Sequence, residues 1–181
     1  MINSTNFGGY FIAGAFVAGL GALVTIIYIV RRVYKLEDYI TEFHFDKIGK
    51  LLVLACLTYL YFNINEYLLP AYTASVDEAT HLNTLFSGSY AIPFWTVTIG
   101  GIILPIIILL FKKGRKPLPM FIIGLIVVLS SWWKRYIIVT PTLLHPFLPI
   151  QGVPESWRHY FPSLHEWAIT TATLAMALLI I

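Results

Sequence analysis

The sequence predicts an all-α, polytopic membrane helix bundle with about five transmembrane helices, and three observations predict it. Hydrophobic residues make up 58% of the 181 residues and charged ones only 12%, at a mean hydropathy of +0.78, whereas soluble domains carry about 25% charged residues. Apolar runs recur at about 8–30, 48–69, 91–111, 118–139 and 163–181; each approaches or exceeds the ~20 residues that cross a hydrocarbon core of about 30 Å. The basic residues sit beside these runs: nine of the twelve lie in segments 31–50 and 112–116. The pI near 9.0 therefore marks topology, and nucleic acid is not an expected partner. Residues 1–181 read as a single transmembrane domain.

The opening residues are polar and lack the basic n-region of a signal peptide. In the first span, Ala15 with Gly19, and Gly14 with Ala18 and Ala22, repeat small side chains at four-residue spacing, which lets a neighbouring backbone come close. Arg31, Arg32 and Lys35 end it. The connector to Lys50 mixes Glu37, Asp38, Glu42, His44 and Asp46 with Tyr39, Ile40 and Phe43, the pattern of a short interfacial helix; His44 reads as a surface histidine. The second span is expected to stop at Pro70 and carries Tyr59, Asn63 and Glu66 at offsets i, i+4 and i+7, on one helix face. Its single cysteine, Cys56, excludes an internal disulfide and any multi-cysteine metal or iron–sulfur site in this chain.

Loop 71–90 holds Asp77, Glu78 and His81 but no lysine or arginine. In the third span, Gly100, Gly101 and Pro105 predict a kink. Lys112, Lys113, Arg115 and Lys116 close it. The fourth span places Ser130 with Lys134, and Ser131 with Arg135, at four-residue spacing inside a lipid-compatible run. A Pro-rich loop, 140–162, precedes a fifth span that carries Glu166, Thr170 and Thr173 and reads as truncated.

The positive-inside rule puts segments 31–50 and 112–116 in the cytoplasm and the N-terminus outside. Glu66 lies sixteen residues beyond Lys50, and Lys134 sixteen beyond Leu118. At 1.5 Å per residue both reach roughly 24 Å from the cytoplasmic edge, the same outer level. Glu166 is expected to join them, with His145, His159 and His165 in or beside the outer loop. A charge at the bilayer centre costs about 2.5–3.5 kcal/mol even on lenient scales, so such residues on three helices at one level point to mutual pairing or water access. The histidines all fall in loops or at helix starts, which argues against a b-type cytochrome. An off-centre cluster argues against a secondary transporter.

The runs FGGYFIAGAFVAGL, RRVYKLEDYITEFHFDKIGKLL, LYFNINEYLLPAY, WWKRYIIVTPTLLHPFLP and YFPSLHEW resemble, in order and spacing, the second half of the NrfD/polysulfide-reductase membrane-subunit family. The closest flavour is the membrane subunits of alternative complex III. The resemblance implies that four spans form an NrfD-like second bundle, and that the chain is half of a longer family protein. It further implies a multi-pass protein of the prokaryotic cytoplasmic (inner) membrane, beside an iron–sulfur, ferredoxin-type subunit on the outer face and other membrane subunits. Membrane quinone, menaquinone or ubiquinone, is then the redox substrate of the complex, and the chain itself binds no cofactor.

By the same resemblance Glu66 matches the acidic residue of the second-bundle pattern, Arg135 the arginine after the aromatic pair, and 141–148, with His145, the outer Pro-rich loop. Lys134 departs from it, since an acidic residue is expected beside that arginine. The family's quinone pocket is built largely from first-bundle helices, so this chain is expected to be non-catalytic alone. The expected function is an integral membrane subunit contributing to quinol/quinone electron transfer and proton conduction. Its candidate site residues are Tyr59, Asn63, Glu66, Lys134, Arg135, His145 and Glu166. The alternative is a structural anchor for an extramembrane electron carrier without quinone chemistry of its own.

Overall fold

The computed structural model describes residues 7–73, 82–83, 85–88, 90–144 and 162–180. Every regular element among them is helical: α1 (Phe7–Val33), α2 (Glu42–Thr73), α3 (Ala91–Trp95), a π segment (Thr96–Ile103), α4 (Leu104–Leu110), a 3-10 turn (Lys112–Arg115), α5 (Pro117–Leu144) and α6 (Leu164–Ile180). The described helices long and apolar enough to cross a membrane cover Gly8–Val33, Glu42–Leu68, Ala91–Leu110 and Pro117–Val139. The chain divides into two compact units, residues 1–141 and 142–181.

In the first unit, each helix end has a chemical cause. Arg31 and Arg32 sit in the last turn of α1. There Lys35 adopts φ 52°, and the N–H of Leu36 reaches back to the carbonyl of Arg31 at 3.0 Å. This is a Schellman ending with lysine at the left-handed position that glycine usually takes. Helix α2 begins six residues before the expected span, so the connector's last residues extend the spanning helix and no separate interfacial helix forms there. The reason is a cap: the Thr41 N–H donates to Nδ1 of His44 at 3.3 Å, and the His44 N–H donates to the Thr41 carbonyl at 3.1 Å. At its other end α2 runs through Pro70 to Thr73. Pro70 gives up only its own N–H bond to the carbonyl four residues back, and in a final turn few further bonds depend on it.

The third span contains the expected irregularity in a specific form. Pro105 has no N–H for the carbonyl of Gly101, and the turn before it widens into the π segment, whose end is closed by the Leu104 N–H on the Ile99 carbonyl. The wide turn sits against α5: a Cβ at Gly101 would collide with Ser130. Helices α1 and α5 also meet closely, since a Cβ at Gly124 would lie 2.8 Å from the Gly21 carbonyl oxygen. Of the small residues predicted to matter in α1, a Cβ at Gly14 would lie 3.0 Å from the Tyr59 ring, whereas one at Gly19 would meet open space. Gly21, absent from that predicted pattern, makes the contact with Val127.

The core runs the length of the bundle through Val17, Val24, Leu52, Cys56, Leu109, Met120 and Val127, all buried. At the end bearing the basic residues, Asp46 receives Lys50 at 2.7 Å. It also receives Nε of Arg115 at 3.2 Å, an ion contact without hydrogen-bond alignment. This ties α2 to the turn before α5. The other end carries the polar residues.

The second unit is described for α6 alone. Its first turn is a capping box: the Ser163 N–H donates to Oε2 of Glu166 at 2.6 Å, and the Glu166 N–H donates to Oγ of Ser163 at 3.4 Å.

Candidate functional site

Burying an ammonium in a membrane bundle is costly, so what surrounds one is informative. Lys134 is 2% exposed. Helix α5 carries it inward because its neighbours along one stripe, Met120, Ile123, Val127 and Ile137, are all core residues. The ammonium donates to the Tyr67 hydroxyl at 3.1 Å and lies over the rings of Tyr67 and Phe94, 5.2 and 4.9 Å from their centroids. Phe86 completes the box, edge-on to Phe94 at 5.1 Å and to Tyr67 at 5.7 Å. Negative ring faces stabilise a cation by about 2 kcal/mol or more when desolvated, which offsets part of its lost hydration.

The remainder comes from α2. Tyr59, Asn63 and Glu66, expected on one face, are all buried, at 8%, 3% and 8% exposure. Glu66 is near enough for its charge to act on the Lys134 ammonium and on the hydroxyls of Tyr10 and Tyr67. Below it, Asn63 keeps Oδ1 buried without a hydrogen-bond partner. One turn further down, the Tyr59 ring stacks on Tyr10 with centroids 5.2 Å apart and planes at 22°, and its hydroxyl donates to that of Tyr10 at 3.2 Å. The result is a column of polar groups inside the bundle at the end opposite the basic loops, with a carboxylate and an ammonium at its head. Its members are a carboxyl, an amine, an amide and hydroxyls, all groups that donate or accept hydrogen bonds.

The serine and cation pairs of α5 part company. Ser130 and Lys134 face inward, against Gly101 and Phe94 respectively. Ser131 and Arg135 line a half-open cleft of about 220 Å³ whose opposite wall is α1 at Gly14 and Ala15, with Tyr59 between them. Lys134 reaches the cleft as well. Arg135 is exposed, and among the described residues no carboxylate lies within ion-pair distance of it.

Glu166 belongs to the second unit, where its carboxylate caps α6, as the Ser163-x-x-Glu166 spacing signals. His145 lies outside the described residues, as do Asp77, Glu78, His81 and His159; His165 is exposed in the first turn of α6. Sequence reasoning missed Tyr67, Phe94, Phe86 and Tyr10. The signal for Tyr67 was its place beside Glu66, on the flank that faces α5; the aromatics near the third span gave no periodic cue. Among the described residues no three of His, Cys, Asp and Glu come together as a metal-ligand set, and Cys56 is a buried thiol within the core.

Residues 1–146 match a family model described as polysulphide reductase, NrfD. A search of curated proteins finds no match.

Proposed function

The chain belongs to the NrfD polysulphide reductase family, and on that basis we propose that it serves as an integral membrane subunit of a quinone-linked respiratory oxidoreductase complex. In this reading it works beside an iron–sulfur, ferredoxin-type subunit on the outer face of a prokaryotic cytoplasmic membrane, with its N-terminus outside. The observation that supports the reading is the burial of Glu66 and Lys134 at the head of the polar column, close enough for their charges to act on each other.

When bound in the complex, the quinone supplies two-electron, two-proton chemistry. The part of this chain is the protons. Glu66 accepts a proton on its carboxyl and hands it along the column, while Lys134 holds that carboxylate in place. A carboxyl inside a membrane bundle with other polar groups beside it is a natural carrier for protons. Tyr67 fixes the ammonium through its hydroxyl, so the carboxylate meets a stationary charge.

In the assembled complex, Glu66→Gln should lower quinol turnover at least tenfold and reduce the protons moved per electron, with assembly intact. Unchanged turnover and stoichiometry would remove Glu66 from the reaction and leave the anchor role.

A further inference from the structure

The cleft between α1 and α5 borders the polar column at Tyr10, Tyr59 and Lys134, and its charge is one-sided. Two cations, Lys134 and Arg135, line it, and among the described residues no carboxylate does. The Lys134 charge is already answered by the Tyr67 hydroxyl, two ring faces and Glu66. The Arg135 charge is not: among the described residues it has no carboxylate within ion-pair distance, though its charge reaches the Tyr59 hydroxyl. A guanidinium presents a planar fork of donors suited to phosphate or carboxylate oxygens. Ser131, one helical turn before it on the same wall, adds a hydroxyl.

The remaining wall is apolar. Ala15 and Ala18 of α1 leave a shallow groove facing Trp132 and Ile138 of α5. A ligand that satisfies both parts has an anionic head and a hydrocarbon tail. A space of about 220 Å³ is below the usual range of enclosed small-molecule pockets, so the cleft takes a head and leaves the tail outside. Tyr59 and Tyr10 also line the cleft, but their hydroxyls bond to each other at 3.2 Å, and a neutral quinone ring would leave the guanidinium charge uncompensated.

We infer that this cleft binds the anionic headgroup of a membrane phospholipid, with the Arg135 guanidinium and the Ser131 hydroxyl on its phosphate and an acyl chain along the Ala15–Ala18 groove. The site lies at the end of the bundle opposite the basic loops, where the positive-inside rule places few cations, so Arg135 there singles out one lipid position.

The test is native mass spectrometry of the full chain, purified in a mild detergent and titrated with phosphatidylglycerol or phosphatidylcholine of the same acyl chains. The expected result is one retained phosphatidylglycerol, held at least tenfold more tightly than phosphatidylcholine. Arg135→Gln should weaken phosphatidylglycerol about tenfold and phosphatidylcholine, whose choline already offsets its phosphate, by less, so that the preference falls, and Arg135→Lys should restore part of it. Ala15→Phe fills the groove from the other wall with both cations intact, and it should also expel the lipid; this arm stands if Arg135→Gln does not fold. Equal retention of the two lipids, or no effect of either substitution, overturns the inference. So does displacement of the bound species by inorganic phosphate alone, or by a short-chain quinone.

Discussion

Replacing Lys134 by Met separates the cation from its side-chain volume. The unbranched thioether keeps most of the packing against Tyr67 and Phe94 but loses the hydrogen bond at 3.1 Å and both ring contacts. A hydrogen bond to a charged group is worth about 1.5–3 kcal/mol, and the ring faces about 2 kcal/mol. Against these stands the desolvation of a side chain 2% exposed, several kcal/mol for an ammonium, so the direct terms nearly cancel. The decisive term is Glu66. Removing one partner of a buried pair costs about 3–5 kcal/mol because the other charge is left behind. Lys134→Met alone should therefore destabilise by about 3 kcal/mol. Adding Glu66→Gln removes the stranded charge, and the double variant should recover most of that loss. Glu66→Gln alone leaves the ammonium uncompensated and should also destabilise, so the coupling energy of the cycle is at least about 2 kcal/mol, measured by equilibrium unfolding in mixed micelles of fixed composition. Coupling below about 0.5 kcal/mol, the scatter of independent sites, would mean that the two charges do not answer one another, and the proposed column would lose its head.

Three further outcomes follow from the packing. Gly101→Ala drives a methyl into Ser130 and should cost about 1–3 kcal/mol; combining it with Ser130→Gly should return most of the loss in the same unfolding assay. Lys35→Gly relieves a left-handed backbone at φ 52° and should stabilise the chain by about 1 kcal/mol, which a rise in thermal midpoint would report. Ser163→Ala removes one half of the cap on α6 at a cost of about 1 kcal/mol, and hydrogen exchange should show faster opening of its first turn while α1 to α5 are unaffected.

Span positions were legible because hydrophobic length is a one-dimensional property: the runs near 8–30, 91–111 and 118–139 correspond to helices within a few residues. The start of α2 was not, because Thr41 and His44 cap through a ring nitrogen, and a histidine at that position carries no strong sequence signal. Helical spacing also identified Tyr59, Asn63 and Glu66 as one face, and it is a buried face. What spacing does not disclose is the partner across the bundle. Tyr67 and Phe94 meet Lys134 only because α2 and α3 converge there, and the ring geometry that makes the site habitable for a cation exists only in three dimensions. Glu166 shows a local role that spacing does disclose: Ser163 three residues before it marks a capping box.

The order of Lys134 and Arg135 in the chain has a physical logic. Successive residues on a helix point about 100° apart, so one cation of an adjacent pair enters the core only if the other is turned toward a side wall. The compact ammonium is the one that fits inside, where it meets one hydroxyl and two ring faces within reach of the charge on Glu66. A guanidinium there would bring five donors into a box with too few acceptors, and each unmet donor in a buried site costs about 1–3 kcal/mol. Placed at the cleft, the same fork stays hydrated or finds an anion. The departure from the acidic residue that the family resemblance leads one to expect beside Arg135 thus moves a buried positive charge next to Glu66, and it makes that carboxylate and its ammonium, rather than two acids, the head of the polar column.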